Sequence, residues 1–102
     1  MKQSGYYTFF TNLSNPLKID IILKLKERKM TVDELKSTLG VEQSKVSHAL
    51  SCLKECNIVV MEKKGKNRIY SLNKKTIIPI LKILDKHSMK FCKKVHCSGC
   101  QI

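Results

Sequence analysis

The sequence predicts a mainly α-helical domain carrying one small β-hairpin. Two observations point there: apolar residues recur at helical spacing in several separate segments, and two short runs rich in β-branched and aromatic residues flank KKGKN. A third bounds the architecture, because 102 residues make one domain with a modest core. A helical chain of this size often completes its core by pairing with a second copy, so a homodimer is expected.

The elements follow in chain order. A first helix is expected over Tyr6 to Leu13, although Ser, Gly and two Tyr weaken its pattern. Pro16, a favoured first-turn residue, opens LKIDIILKLKER, where Leu17, Ile21, Leu23 and Leu25 form an apolar segment of helical length. Thr31 followed by Glu34 fits a capping box, and the helix VDELKSTL stops at Gly40. Val46, Leu50 and Leu53, with Ala49 between, then define a further helix. Thr31 to Asn57 therefore reads as helix, turn, helix.

IVVMEKKGKNRIYSL is the hairpin, a wing with a basic tip in which Gly65 supplies the permissive turn position. From Lys75 to about Phe91, Ile77, Ile78, Ile80, Leu81, Ile83 and Leu84 predict an amphipathic helix that tolerates Pro79 near its start. It lies beyond the wing and is assigned to a dimer interface. Residues 1–91 are thus read as a DNA-binding and dimerisation domain, and residues 92–102, with the sequence CKKVHCSGCQI, as a cysteine-rich tail.

Charge sets the partner. Twenty Lys and Arg against eight Asp and Glu leave a formal charge of +12, which points to a polyanion, nucleic acid ahead of an anionic membrane surface. A basic surface kept for solubility is the plainer alternative. Gln43, Ser44, Lys45, Ser47 and His48 fall on the N-terminal exposed part of the second helix of the pair, where such helices meet base edges in the major groove. Lys63, Lys64, Lys66 and Arg68 crowd the hairpin tip, placed to hold backbone phosphates or probe a minor groove. Taken singly, each of these is as well explained as solvated surface; the combination is more specific.

No run is long and apolar enough for a signal peptide or a membrane span, which places the chain in the cytoplasm. Thiols stay reduced there, so five cysteines, an odd number, read as metal ligands, redox switches or small buried residues rather than a disulfide framework. Cys52 and Cys56 form an i,i+4 pair on one flank of the second helix. Packing against the Val46, Leu50 and Leu53 face explains Cys56 tolerably and Cys52 poorly. Two thiols at this spacing favour a soft or borderline ion: cadmium, lead, arsenite, copper(I) or zinc.

LSNPLKIDIILKL and VEQSKVSHALSCLKECNIVVMEKKGKNRIYSL, above all SKVSHAL and GKNRIYSL, resemble the ArsR/SmtB family of winged-helix metal-responsive repressors over residues 13–72. The resemblance implies a homodimer that binds double-stranded operator DNA without metal and releases it on metal binding. Lys18 stands where the family usually has Arg. The family's Cys-Val-Cys site has no counterpart, since MTVDEL occupies that position. Ser51 to Cys56 is similar instead to the recognition-helix thiols of the cadmium- and lead-sensing CmtR type, which implies a third thiolate from the tail, here Cys92, Cys97 or Cys100.

Several alternatives stay open. Three thiolates also suit As(III). Cys92, His96, Cys97 and Cys100 can close a tetrahedral zinc site, and Cys97 with Cys100 can form a redox pair. Asp85 and His87 resemble part of the family's dimer-interface zinc site, but its second pair is not matched, and His87 is read as helix surface. The rival functions are a thiol redox-responsive repressor and a constitutive basic DNA-binding protein. An enzyme is not expected: no catalytic Ser/His/Asp set, phosphate-cradling glycine loop or paired carboxylates can be found.

Overall fold

A computed structural model of the chain describes residues 3–91. The element order is α1 (Gln3–Ser14), α2 (Pro16–Glu27), β1 (Met30–Thr31), α3 (Val32–Leu39), α4 (Gln43–Glu55), β2 (Val59–Lys64), β3 (Asn67–Leu72) and α5 (Ile77–Phe91). The residues that start and stop each helix do so by identifiable chemistry.

Asn15 separates α1 from α2 and caps the latter, its side-chain oxygen accepting the Lys18 backbone N–H at 3.0 Å with Pro16 in the first turn. The Thr31 capping box is complete: the Thr31 hydroxyl accepts from the Glu34 N–H at 3.2 Å, and the Glu34 carboxylate accepts from the Thr31 N–H at 3.0 Å. Gly40 ends α3 in the left-handed region, φ 66°, where a side chain would add strain.

The end of α4 is more elaborate. The Ile58 N–H reaches back to the Leu53 carbonyl and the Asn57 N–H to the Lys54 carbonyl, both at 3.0 Å, and the fully buried Leu53 and Ile58 lie beneath. This is a Schellman termination. Asn57, φ 55°, is the single non-glycine residue with positive φ among the described residues, and asparagine tolerates that conformation better than most. Asn73 ties this corner to the wing, donating from Nδ2 to the Asn57 carbonyl at 2.9 Å.

The core is one cluster under the helix-turn-helix. Ile21, Ile22 and Leu25 of α2, Leu35 of α3, and Val46, Ala49, Leu50 and Leu53 of α4 pack with Ile58, Val59, Leu72 and Ile77. The apolar stripe expected on α4 is therefore the buried one.

The sequence reading is modified in three places. The sheet has three antiparallel strands in the order β1-β3-β2, because Met30 and Thr31 pair with Tyr70 and Ile69. A two-residue strand has no periodicity to detect. Helix α1 starts at Gln3 rather than Tyr6, and α5 starts at Ile77 rather than Lys75. The second shift has a cause: Asn73 accepts the backbone N–H groups of Lys75 and Thr76 on Oδ1 and those of Ile77 and Ile78 on its carbonyl, holding residues 74–76 as a turn.

Two apolar faces remain uncovered in the single chain. Tyr6, Tyr7 and Phe10 of α1 and Ile83, Leu84 and Met89 of α5 are exposed. No described helix is long and apolar enough to cross a membrane.

Candidate nucleic-acid interface and thiol site

Helix α4 is 13 residues long, roughly 20 Å, and begins after a short turn from α3. Val46, Ala49, Leu50 and Leu53 fix its inner face, and this turns Gln43, Ser44, Lys45, Ser47 and His48 outward. All five are exposed. The first turn carries no acid, and Glu42 at the N-cap makes no side-chain cap hydrogen bond, so no side chain caps the first backbone N–H groups of the helix. Helix α3 differs, having Asp33 and Glu34 in its first turn. An open groove of about 280 Å³ runs between α2 and α4, lined by Asn15, Leu17, Lys18, Ser44, Lys45 and His48 among others.

The wing projects Lys63, Lys64, Lys66 and Arg68, all exposed, around the two-residue loop that Gly65 begins with φ 59°. Lys63 and Arg68 are cross-strand partners. Like charges placed opposite one another disfavour the hairpin itself, so this pairing is a cost to folding that a polyanion would remove. Lys64 has a local counter-ion, Glu62, at 3.5 Å.

Both cysteines of α4 are reduced and half-buried, but their surroundings differ. Cys56 is the C-cap residue and packs against the core cluster, where its Sγ accepts a 3.0 Å hydrogen bond from Asn12 Nδ2 of α1. Cys52 lies outside that cluster, with its Sγ 3.8 Å from Nε2 of His48, one turn earlier. The expectation that packing accounts for Cys56 and not for Cys52 agrees with this placement.

Asn12 is the residue that the sequence reading missed. It is 4% exposed, and its Oδ1 accepts from Lys18 Nζ at 2.8 Å. A buried Asn within a helix otherwise read as apolar and aromatic was the available signal.

Cys92, Cys97 and Cys100, together with His96, lie outside the described residues. Among the described residues no three His, Cys, Asp or Glu side chains converge as a metal site. Thiol and imidazole donors of the kind that Cys52 and His48 bring within 3.8 Å of each other suit soft or borderline cations. Asp85, one of the two residues considered for an interface zinc site, is engaged by Lys26. A cleft of about 640 Å³ is lined by Lys26, Arg28, Lys29 and Lys74 with a single carboxylate, Glu62, and no His or Cys among its described lining.

Residues 15–60 match the family described as bacterial regulatory protein, arsR family. Rv0081 of Mycobacterium tuberculosis, an uncharacterized HTH-type transcriptional regulator, is 34% identical over 79 residues, covering 76% of this chain and 69% of that protein. Its crystal structure superposes with a TM-score of 0.76 at 31% identity, covering 83% of this chain and 86% of the other. The regulator NmtR of the same organism is 35% identical over 60 residues, 59% of this chain and 50% of NmtR, so the chain spans half the length of that relative. The fold is shared by the homodimeric winged helix-turn-helix DNA-binding domain of Mb0332 from Mycobacterium bovis, TM-score 0.73 at 14% identity over 93% of this chain and 89% of that one. The fold is a winged helix-turn-helix. The chain belongs to the ArsR/SmtB family of such regulators.

Proposed function

We propose that this chain is a cytoplasmic, metal-responsive transcriptional repressor that binds operator DNA as a homodimer and leaves it when a soft ion is captured by thiols. Gln43, Ser44, Lys45, Ser47 and His48 of α4 read base edges, while Lys63, Lys64, Lys66 and Arg68 of the wing hold phosphates. The observation that carries the DNA reading is that all nine side chains are exposed on two adjoining elements, with only Lys64 facing an acid of the wing.

The dimer is built from α1 and α5, whose apolar faces are uncovered in the single chain. A polar, charged protein rarely leaves Ile83, Leu84 and Met89 together in water without a partner.

The effector is cadmium, lead, As(III) or zinc, held by Cys52, Cys56 and one of Cys92, Cys97 and Cys100. What supports this is position: both described thiols sit on the same helix as the DNA-facing residues, with Cys52 directly behind His48. Thiolate ligands bring negative charge beside phosphate contacts. Only a few kcal/mol of coupling is needed, since about 1.4 kcal/mol changes affinity tenfold.

Operator affinity measured at fixed ionic strength, with and without cadmium, tests the reading. Loss of affinity with cadmium supports it. Affinity that does not respond to any of the named ions refutes the effector assignment and leaves a constitutive DNA-binding protein.

A further inference from the structure

Cys52 Sγ and His48 Nε2 stand 3.8 Å apart on successive turns of α4. In a tetrahedral zinc site, metal–nitrogen and metal–sulfur bonds of about 2.1 and 2.3 Å place the two donors about 3.6 Å from each other. The gap between these side chains is therefore that of one edge of a coordination shell, slightly wider than zinc requires and suited to a somewhat larger ion. The helix backbone sets it, because i and i+4 side chains share a face. His48 is exposed and Cys52 half-exposed, so an ion reaches both donors without any element opening.

The geometry points to His48 as a metal ligand that works with Cys52, so that one imidazole serves both the DNA and the effector. The inference rests on the reading of Cys52 as an effector thiol. It adds a nitrogen donor to a site otherwise built of sulfur, and it makes release competitive: with Nε2 on the ion, that nitrogen is withdrawn from any base edge and the ring is held toward Cys52.

A nitrogen donor also narrows the effector class. Imidazole suits divalent borderline ions such as zinc, and thiolates extend the site to softer ones such as cadmium. As(III), satisfied by three thiolates, gains nothing from His48.

The test uses the full reduced chain and cadmium-113. Wild type, His48→Gln and Cys52→Ser are titrated against a competing chelator while the cadmium-113 resonance and the histidine imidazole nitrogen-15 shifts are followed. A ligating His48 gives a cadmium resonance in the mixed sulfur–nitrogen range and a metal-dependent shift at the His48 nitrogen. In His48→Gln that shift is lost, the resonance moves toward the all-sulfur range, and affinity falls about tenfold or more. An unchanged resonance and affinity in His48→Gln overturn His48 ligation, while thiol capture stands if Cys52→Ser still weakens binding. Unchanged affinity in both variants overturns the effector reading itself.

Discussion

Asn12 of α1 donates from Nδ2 to the sulfur of Cys56 at the end of α4, at 3.0 Å. The orientation of the amide is fixed from its other side: Lys18 Nζ can only donate, and it does so to Asn12 Oδ1 at 2.8 Å, which leaves the NH₂ group for the thiol. A helix with an uncovered apolar face is thereby joined to one of the two thiols of α4. The hydrogen bond fixes where the Cys56 sulfur points, and removing the thiol would leave the buried Asn12 amide unsatisfied.

Asn12→Ala is expected to lower stability by about 1–3 kcal/mol, the range for stranding or deleting a buried polar contact. Urea unfolding measures the loss. Alkylation mapped at Cys56 should quicken in the same variant, because the sulfur is no longer held, and an unchanged rate would show that Asn12 does not restrain the thiol.

Lys63→Glu should separate folding from DNA binding. Opposite Arg68, a carboxylate replaces like-charge repulsion with attraction, so the hairpin gains roughly 0.2–1 kcal/mol. DNA affinity should fall. Lys66→Ala should likewise reduce the slope of log affinity against log salt by about 0.9 if Lys66 contacts one phosphate. Salt slopes identical to wild type would remove the wing from the interface.

The capping box gives a pH signature. The Glu34 carboxyl is held below its ordinary 4.5, first by the Thr31 backbone N–H and then by Arg28, whose Nη1 donates to it at 2.9 Å. A lowered native pKa stabilises the fold above the unfolded value, and that contribution is lost as pH falls through the native value. The urea midpoints of wild type and Glu34→Gln should therefore differ at neutral pH and converge in acid. A pH-independent difference would contradict the assignment.

Ile83→Glu on the exposed face of α5 is expected to yield a folded monomer at concentrations where wild type is dimeric, as read by analytical ultracentrifugation. A variant of unchanged mass would place the dimer contact elsewhere.

The elements that the sequence disclosed were those controlled by local chemistry. Thr31 and Glu34 announce a helix start because their spacing alone satisfies the orphan donors, and Gly40 announces its end because the left-handed region excludes most other residues. The exposure of Gln43, Ser44, Lys45, Ser47 and His48 followed from the buried positions of Val46, Leu50 and Leu53. What escaped notice depends on distant parts of the chain. Strand β1 exists only because β3 lies beside it, and Asn12 has its role only because α1 crosses the end of α4, 44 residues later. The His48–Cys52 contact is implicit in the i,i+4 spacing, but the sequence does not show that the two side chains turn toward each other.

The most direct measurement is a cadmium titration of the reduced, metal-free dimer bound to its operator at moderate salt, with thiolate-to-metal absorbance and DNA release followed together in wild type and Cys52→Ser. Absorbance and release are expected to saturate together in wild type, and Cys52→Ser to bind DNA normally without releasing it. Release that persists undiminished in Cys52→Ser would contradict the claim that α4 is the sensor.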